Sequence, residues 1–173
     1  TTAICCSTRA CILTGQHMRR HGIRDFQTPL SAEAFAQTYP ALLRKAGYRT
    51  GYLGKFAIGA PRPEIRGLSL PIDQFDFWFG FPQSINFKQI VDGEERFLTT
   101  LLADKAIEFI QDAYVNAPDK PFFLYYATGA GHAPHHVEPE WIEKYKGKFD
   151  MGWDEYRKVV FERQKEMGIL PAG

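Results

Sequence analysis

Between Lys120 and Thr128 the chain reads Pro121-Phe122-Phe123-Leu124-Tyr125-Tyr126-Ala127. This uncharged run constrains the fold more than any other stretch. Continuous apolarity over the length of a strand, without polar alternation, predicts a central strand of a parallel sheet, buried on both faces. Upstream, apolar residues at 97, 98, 101, 102, 106, 107, 109, 110 and 113 recur with a helical period. They predict a helix over 97–113 that packs on that sheet and leaves Asp104, Lys105, Glu108, Gln111 and Asp112 wet. Earlier still, Thr38 to Ala46 carries an N-cap candidate (Thr38), Pro40 in the first turn, Leu42 and Leu43 as inward residues, and Gly47 as a stop. The alternating segment 48–53 that follows reads as a strand. Helix and strand in alternation give an α/β fold, a mostly parallel sheet flanked by helices.

With 173 residues, 45% hydrophobic and 14% aromatic, the chain can bury a sizeable core, and 1–173 reads most simply as one domain. Net charge is +1, so no global field argues for a nucleic-acid or membrane partner. No apolar run approaches a membrane span, and no signal peptide is expected. Residues 60–96 are rich in Pro and aromatics, among them Pro61, Pro63, Pro71, Phe75, Phe77, Trp78, Phe79, Phe81 and Pro82. They read as a long ordered excursion whose rings mostly pack in a core. Beyond it, Pro139 to Tyr145 and the stretch from Gly152 or Asp154 to about Met167 read as amphipathic helices.

Three stretches carry chemistry. The first is Cys5-Cys6-Ser7-Thr8-Arg9-Ala10-Cys11-Ile12-Leu13-Thr14-Gly15. Ser7 or Thr8 can cap a short helix closed by Gly15, which would place a thiol near the positive end of a helix dipole. The alternative is that all three thiols are simply buried. The second, Gly54-Lys55-Phe56, follows the predicted strand 48–53 at its C-terminal end, where open α/β sheets bind ligands. The third, Thr128-Gly129-Ala130-Gly131-His132-Ala133-Pro134-His135-His136, follows the apolar strand. Its small residues permit close backbone approach, and its first His is placed for acid–base work. A His-only metal site there is disfavoured, because His135 and His136 are adjacent and diverge on regular backbone. The basic cluster His17, Arg19, Arg20, His21 and Arg24 fits either a solvated surface or an anion-gripping one.

Cys5 followed by Arg9 and Leu13-Thr14-Gly15 resembles the signature of the type I sulfatases (arylsulfatases), members of the alkaline-phosphatase-like superfamily. Gly47-Tyr48-Arg49-Thr50-x-Tyr52-x-Gly54-Lys55-aromatic resembles their second hallmark, and His132-x-Pro134 their third. The resemblance covers nearly the whole chain, which looks like an incomplete part of the catalytic domain. It implies sulfate ester hydrolysis with Cys5, oxidised to formylglycine by a formylglycine-generating enzyme, as nucleophile and metal ligand. By the same resemblance Arg9 stabilises the nucleophile, Lys55 and His132 bind the sulfate, and Ca²⁺ is the metal. The substrate implied is a small-molecule sulfate ester, and the compartment periplasmic or extracellular. Two positions depart from the pattern: Ser7 stands at the family's Pro or Ala, and Ala57 at its His. The metal's Asp-Asp pair has no counterpart here. Two other readings follow from the same residues, a phosphonate or phosphodiester hydrolase of the superfamily, and a catalytically silent homologue or fragment.

Overall fold

A computed structural model describes residues 3–59, 71–81, 88–91 and 93–171. The chain divides into two compact units, Thr1–His132 and Ala133–Gly173. In the first, elements follow in the order α1 (Cys5–Thr14), α2 (Met18–His21), α3 (Ala32–Phe35), α4 (Tyr39–Lys45), β1 (Arg49–Lys55), β2 (Phe77–Phe81), β3 (Lys88–Val91), β4 (Glu94–Phe97), α5 (Leu98–Asn116) and β5 (Phe122–Ala127). The main sheet is parallel, in the order β2-β1-β5, and β3 and β4 form a separate antiparallel pair. The α/β class, the helices near 38–46 and 97–113 and the two strands expected at 48–53 and 121–127 are all present, with boundaries moved by no more than three residues.

The burial of the strands reverses the sequence expectation. The apolar segment β5 is an edge of the described sheet, with Phe122 44% and Tyr126 41% exposed. The central strand is β1, whose residues 50–55 are all buried. β1 fits there by being small where neighbours press. A Cβ on Gly51 would lie 2.8 Å from the Leu124 side chain and 3.0 Å from the Phe109 ring. Both of its buried hydroxyls are used: Thr50 donates to Asp76, and Tyr52 to the Lys55 carbonyl. A strand with polar residues thus carries no desolvation penalty for an unpaired hydroxyl.

Each face of the sheet has its own core. On one, α1 and the turn after α2 supply Cys6, Ala10, Leu13 and Ile23, which meet Phe35, Tyr52, Phe56 and Phe75. On the other, Leu98, Leu101 and Leu102 of α5 pack on Leu53, and Phe109 packs between Phe77 and Phe122. Each such side chain contributes about 1.5–3 kcal/mol on full burial. The apolar stripe of α5 is wider than the sheet covers, since Ile107 and Ile110 stay exposed. On α4 the inward residues are Pro40 and Ala41; Leu42, expected inward, is 47% exposed. Within the aromatic stretch, the described residues form a short 3-10 turn (Ile72–Gln74) and β2, neither expected from sequence, while Pro61, Pro63 and Pro82 lie outside the described residues.

Asp76 joins the start of β2 to β1 and α4. Its Oδ2 accepts from the Thr50 amide at 2.8 Å, and its Oδ1 pairs with Arg44 at 2.9 Å. Burial alone would raise the pKa of this carboxyl, but the Thr50 amide and the Arg44 guanidinium outweigh it and hold it below the ordinary value. A depressed folded pKa contributes stability above the unfolded pKa and loses it as pH falls through the folded one. Urea midpoints measured from about pH 6 down to about pH 2.5 are therefore expected to fall more steeply for the parent than for Asp76→Asn. Parallel slopes would show that the pairing adds nothing.

The second unit holds α6 (Pro139–Tyr145) and α7 (Gly152–Glu166), close to the expected spans. Phe149 bridges them, its ring 6.2 Å from Tyr145 and 5.5 Å from Tyr156. No described helix of the chain is long and apolar enough to cross a membrane.

Candidate active site

Parallel pairing aligns the C-terminal ends of the strands: Lys55 at the end of β1 is in register with Phe81, and its neighbour Gly54 with Ala127. The approach is unusually close. A Cβ at Gly54 would stand 2.0 Å from the Ala127 carbonyl oxygen, and Gly54 has φ +93, so only glycine fits. Immediately beyond, Ala57 is fully buried at φ +60, a left-handed conformation that a non-glycine residue adopts only when its surroundings enforce it.

Helix α1 delivers Cys5 to this edge. The helix begins at Cys5 itself, after the extended residue Ile4, and no side chain caps it. Ser7 and Thr8, read as caps from the sequence, are inside the helix. Ser7 is 1% exposed and its Oγ donates to the Ile23 carbonyl at 2.9 Å, tying α1 to the turn after α2. The hydroxyl thus has a structural role that a proline at this position would not supply.

The three thiols separate by environment. Cys6 is buried in the core, and Cys11 Sγ lies 3.2 Å from His21 Nε2. Cys5 is partly exposed, at the uncapped positive end of α1, in an open groove lined also by Thr8, Arg9, Tyr125, Tyr126 and Thr128. Arg9, one turn along α1, donates from Nη1 to the backbone carbonyl of Lys55 at 2.7 Å. The same carbonyl accepts the Tyr52 hydroxyl at 2.7 Å. Lys55 is 7% exposed, and none of the ion pairs among the described residues involves it. A buried ammonium without a carboxylate is costly unless an anion completes it.

Cys5, Arg9 and the backbone of Lys55 are thus brought to one sheet edge. His132 is on the loop leaving the same edge, its amide donating to Gly129 O at 3.2 Å, but it is exposed and does not line the groove. Sequence reasoning names Tyr52 only as a position of the second hallmark, without a role, and does not single out Tyr125. The available signal is slight: Tyr52 shares a strand face with Thr50 and Gly54, three residues before Lys55.

The sequence model of the family described as Sulfatase matches residues 1–168. The chain belongs to the sulfatase family. Human N-acetylglucosamine-6-sulfatase is 26% identical over 168 residues, covering 86% of this chain and 30% of that protein. The N-acetylglucosamine-6-O-sulfatase of Bacteroides thetaiotaomicron is 32% identical over 143 residues, 75% of this chain and 23% of that protein. This sulfatase chain therefore spans about a third or less of the length of these curated relatives. Among solved structures, one in complex with its substrate D-glucosamine-2-N,6-O-disulfate is similar at TM-score 0.61 and 26% identity, over 83% of this chain and 28% of that one. Another, bound to a neocarrahexaose, has TM-score 0.65 at 22% identity over 82% of this chain and 38% of that one, and shows the shared fold alone. The family is one of sulfuric ester hydrolases with an alkaline-phosphatase-like fold.

The Ca²⁺ expected from the family meets a poor donor set. Among the described residues no three His, Cys, Asp or Glu side chains group as a metal site, whereas Ca²⁺ takes six to eight oxygens. The described residues do not by themselves fit the ion. Calorimetric titration of the chain with Ca²⁺ is expected to show no tight binding, and a 1:1 site with Kd below about 10 μM would contradict this.

Proposed function

We propose that this sulfatase chain carries the nucleophile and sulfate-gripping portion of a sulfuric ester hydrolase acting on 6-O-sulfated amino sugars. The observation that carries the reading is the Arg9–Lys55 hydrogen bond, which joins residues 46 positions apart at the edge where Cys5 opens to solvent. The substrate class is suggested by the relatives named N-acetylglucosamine-6-sulfatase and by the neighbour bound to a 6-O-sulfated glucosamine.

In this reading Cys5 acts as formylglycine. The hydrated aldehyde has two hydroxyls on one carbon. One attacks sulfur, and the sugar hydroxyl leaves with a proton. The second then loses its proton, expels sulfate and restores the aldehyde, which water rehydrates. Arg9 offsets charge at the nucleophile, and the Lys55 ammonium and His132 take sulfate oxygens, gaining most as charge develops in the transition state.

The test has two parts. Peptide mass spectrometry of residues 1–20 after co-expression with a formylglycine-generating enzyme is expected to show Cys5 lighter by about 18 Da. Sulfate release from N-acetylglucosamine 6-sulfate is then compared with hydrolysis of bis(4-nitrophenyl) phosphate. Faster phosphodiester turnover would move the assignment to the phosphodiesterase branch of the superfamily. An aldehyde-bearing chain with neither activity would mark a silent homologue or a fragment, a reading fed by Ala57 at the family's His position and by the share of the relatives' length that the chain spans.

A further inference from the structure

Tyr52 has no place in the chemistry above, yet its ring is enclosed by other aromatic rings. It is 1% exposed and lies between the rings of Trp78 and Tyr125, with centroids 4.8 and 5.0 Å away and interplanar angles of 18° and 11°. The edges of Phe56 and Phe75 close it at 5.4 Å each. The packed ring aims its hydroxyl at the Lys55 carbonyl, 2.7 Å away, with the Arg9 guanidinium beside it. Arg9 Nη1 reaches the same oxygen from α1, also at 2.7 Å. One carbonyl with two lone pairs takes both donors and thereby fixes two cation-bearing residues relative to each other. Burial pushes the Tyr52 hydroxyl well above the usual phenol range, against an opposing pull from Arg9, so it stays protonated and remains a donor across the working pH range.

We propose that Tyr52 is a positioning residue: its hydroxyl and Arg9 clamp the Lys55 carbonyl, which holds the Arg9 guanidinium beside Cys5. The clamp is needed because none of the ion pairs among the described residues gives Arg9 a carboxylate, and an arginine left to choose rotamers is a poor electrostatic tool. The ring serves a second purpose. Through its stack on Tyr125, which lines the Cys5 groove, a shift of Tyr52 would be felt in the groove wall. The catalytic part of this inference rests on the sulfatase reading of Cys5, Arg9 and Lys55, whereas the geometric part does not.

The test therefore has an arm for each. On the unmodified thiol protein, rates of Cys5 alkylation by anionic iodoacetate and neutral iodoacetamide are measured by peptide mass spectrometry. Their ratio reports cationic charge held near the thiol. Tyr52→Phe keeps the stack and removes the hydroxyl. The ratio is expected to fall about threefold, the iodoacetamide rate falling less than the iodoacetate rate because both share the thiolate fraction, and 4-aminophenylalanine at position 52, which restores a donor, is expected to recover the ratio. An unchanged ratio overturns the clamp whether or not the protein turns over sulfate esters. A fall that 4-aminophenylalanine does not recover overturns it too, since the ring's packing and not its donor would then be responsible. Should Tyr52→Phe not fold, 4-fluorophenylalanine and 4-aminophenylalanine carry the same comparison. On the formylglycine form, kcat for the sulfated sugar is expected to drop about tenfold with KM nearly constant. Absence of turnover in the parent itself defeats the proposed function and leaves the alkylation arm to decide the clamp.

Discussion

Replacing Lys55 with Met is expected to make the protein more stable and useless. The ammonium sits on a residue 7% exposed, and no ion pair among the described residues compensates it. An unbranched apolar side chain of similar length removes that desolvation cost, and a gain of about 1 kcal/mol or more is expected in urea unfolding without ligand. Sulfate release should fall at least about 100-fold, because a cation held out of water is worth most against the charge of a sulfuryl transition state. The two readouts must move in opposite directions. A variant that is less stable than the parent would mean that Lys55 is paired in solution, and retained turnover would remove it from the site.

Gly54→Ala is expected to have the largest effect on folding. Its Cβ would fall 2.0 Å from the Ala127 carbonyl oxygen and 2.6 Å from the carbonyl carbon, both backbone atoms of the adjoining strand, at φ +93. Neither strand can yield without breaking the β1–β5 ladder. A loss of at least about 3 kcal/mol, or about 10 °C in Tm, is expected by calorimetry. Gly15→Ala is the control: its φ of +66 is also left-handed, but nothing lies within 4 Å of the added carbon, so only about 1 kcal/mol of conformational cost is expected. Equal Tm values for the two variants would show that the close approach of the strands is not tight in solution.

The parts of the site legible in the sequence are those marked by a motif or fixed by backbone conformation. Cys5 and Lys55 are picked out by the resemblance to the sulfatase signatures, while Gly15 closes α1 in the left-handed conformation that the residue type announces. What stays hidden depends on tertiary contacts. β1 carries glycines and a threonine and reads only as an alternating strand, yet it is central, because Leu124 and Phe109 occupy the space its missing side chains leave. β5 reads as buried on both faces, yet apolar residues mark only that a surface can be covered, not that it is. Ser7 reads as a helix cap. Its partner, the Ile23 carbonyl, is sixteen positions away and is invisible to local pattern. Tyr52 is visible as a motif position, but its partner is not, since its hydroxyl meets an oxygen that Arg9 also claims.

β5 lies at the end of the β2-β1-β5 order, with β1 its sole partner among the described residues. Among the described residues nothing pairs with the outer amides and carbonyls of these six apolar residues, which carry no charge or proline to discourage an arriving strand. Recovery of this polypeptide in solution should accordingly depend on concentration more than on temperature. Tyr126→Lys, at an exposed position on that strand, should slow self-association in light scattering without touching the fold.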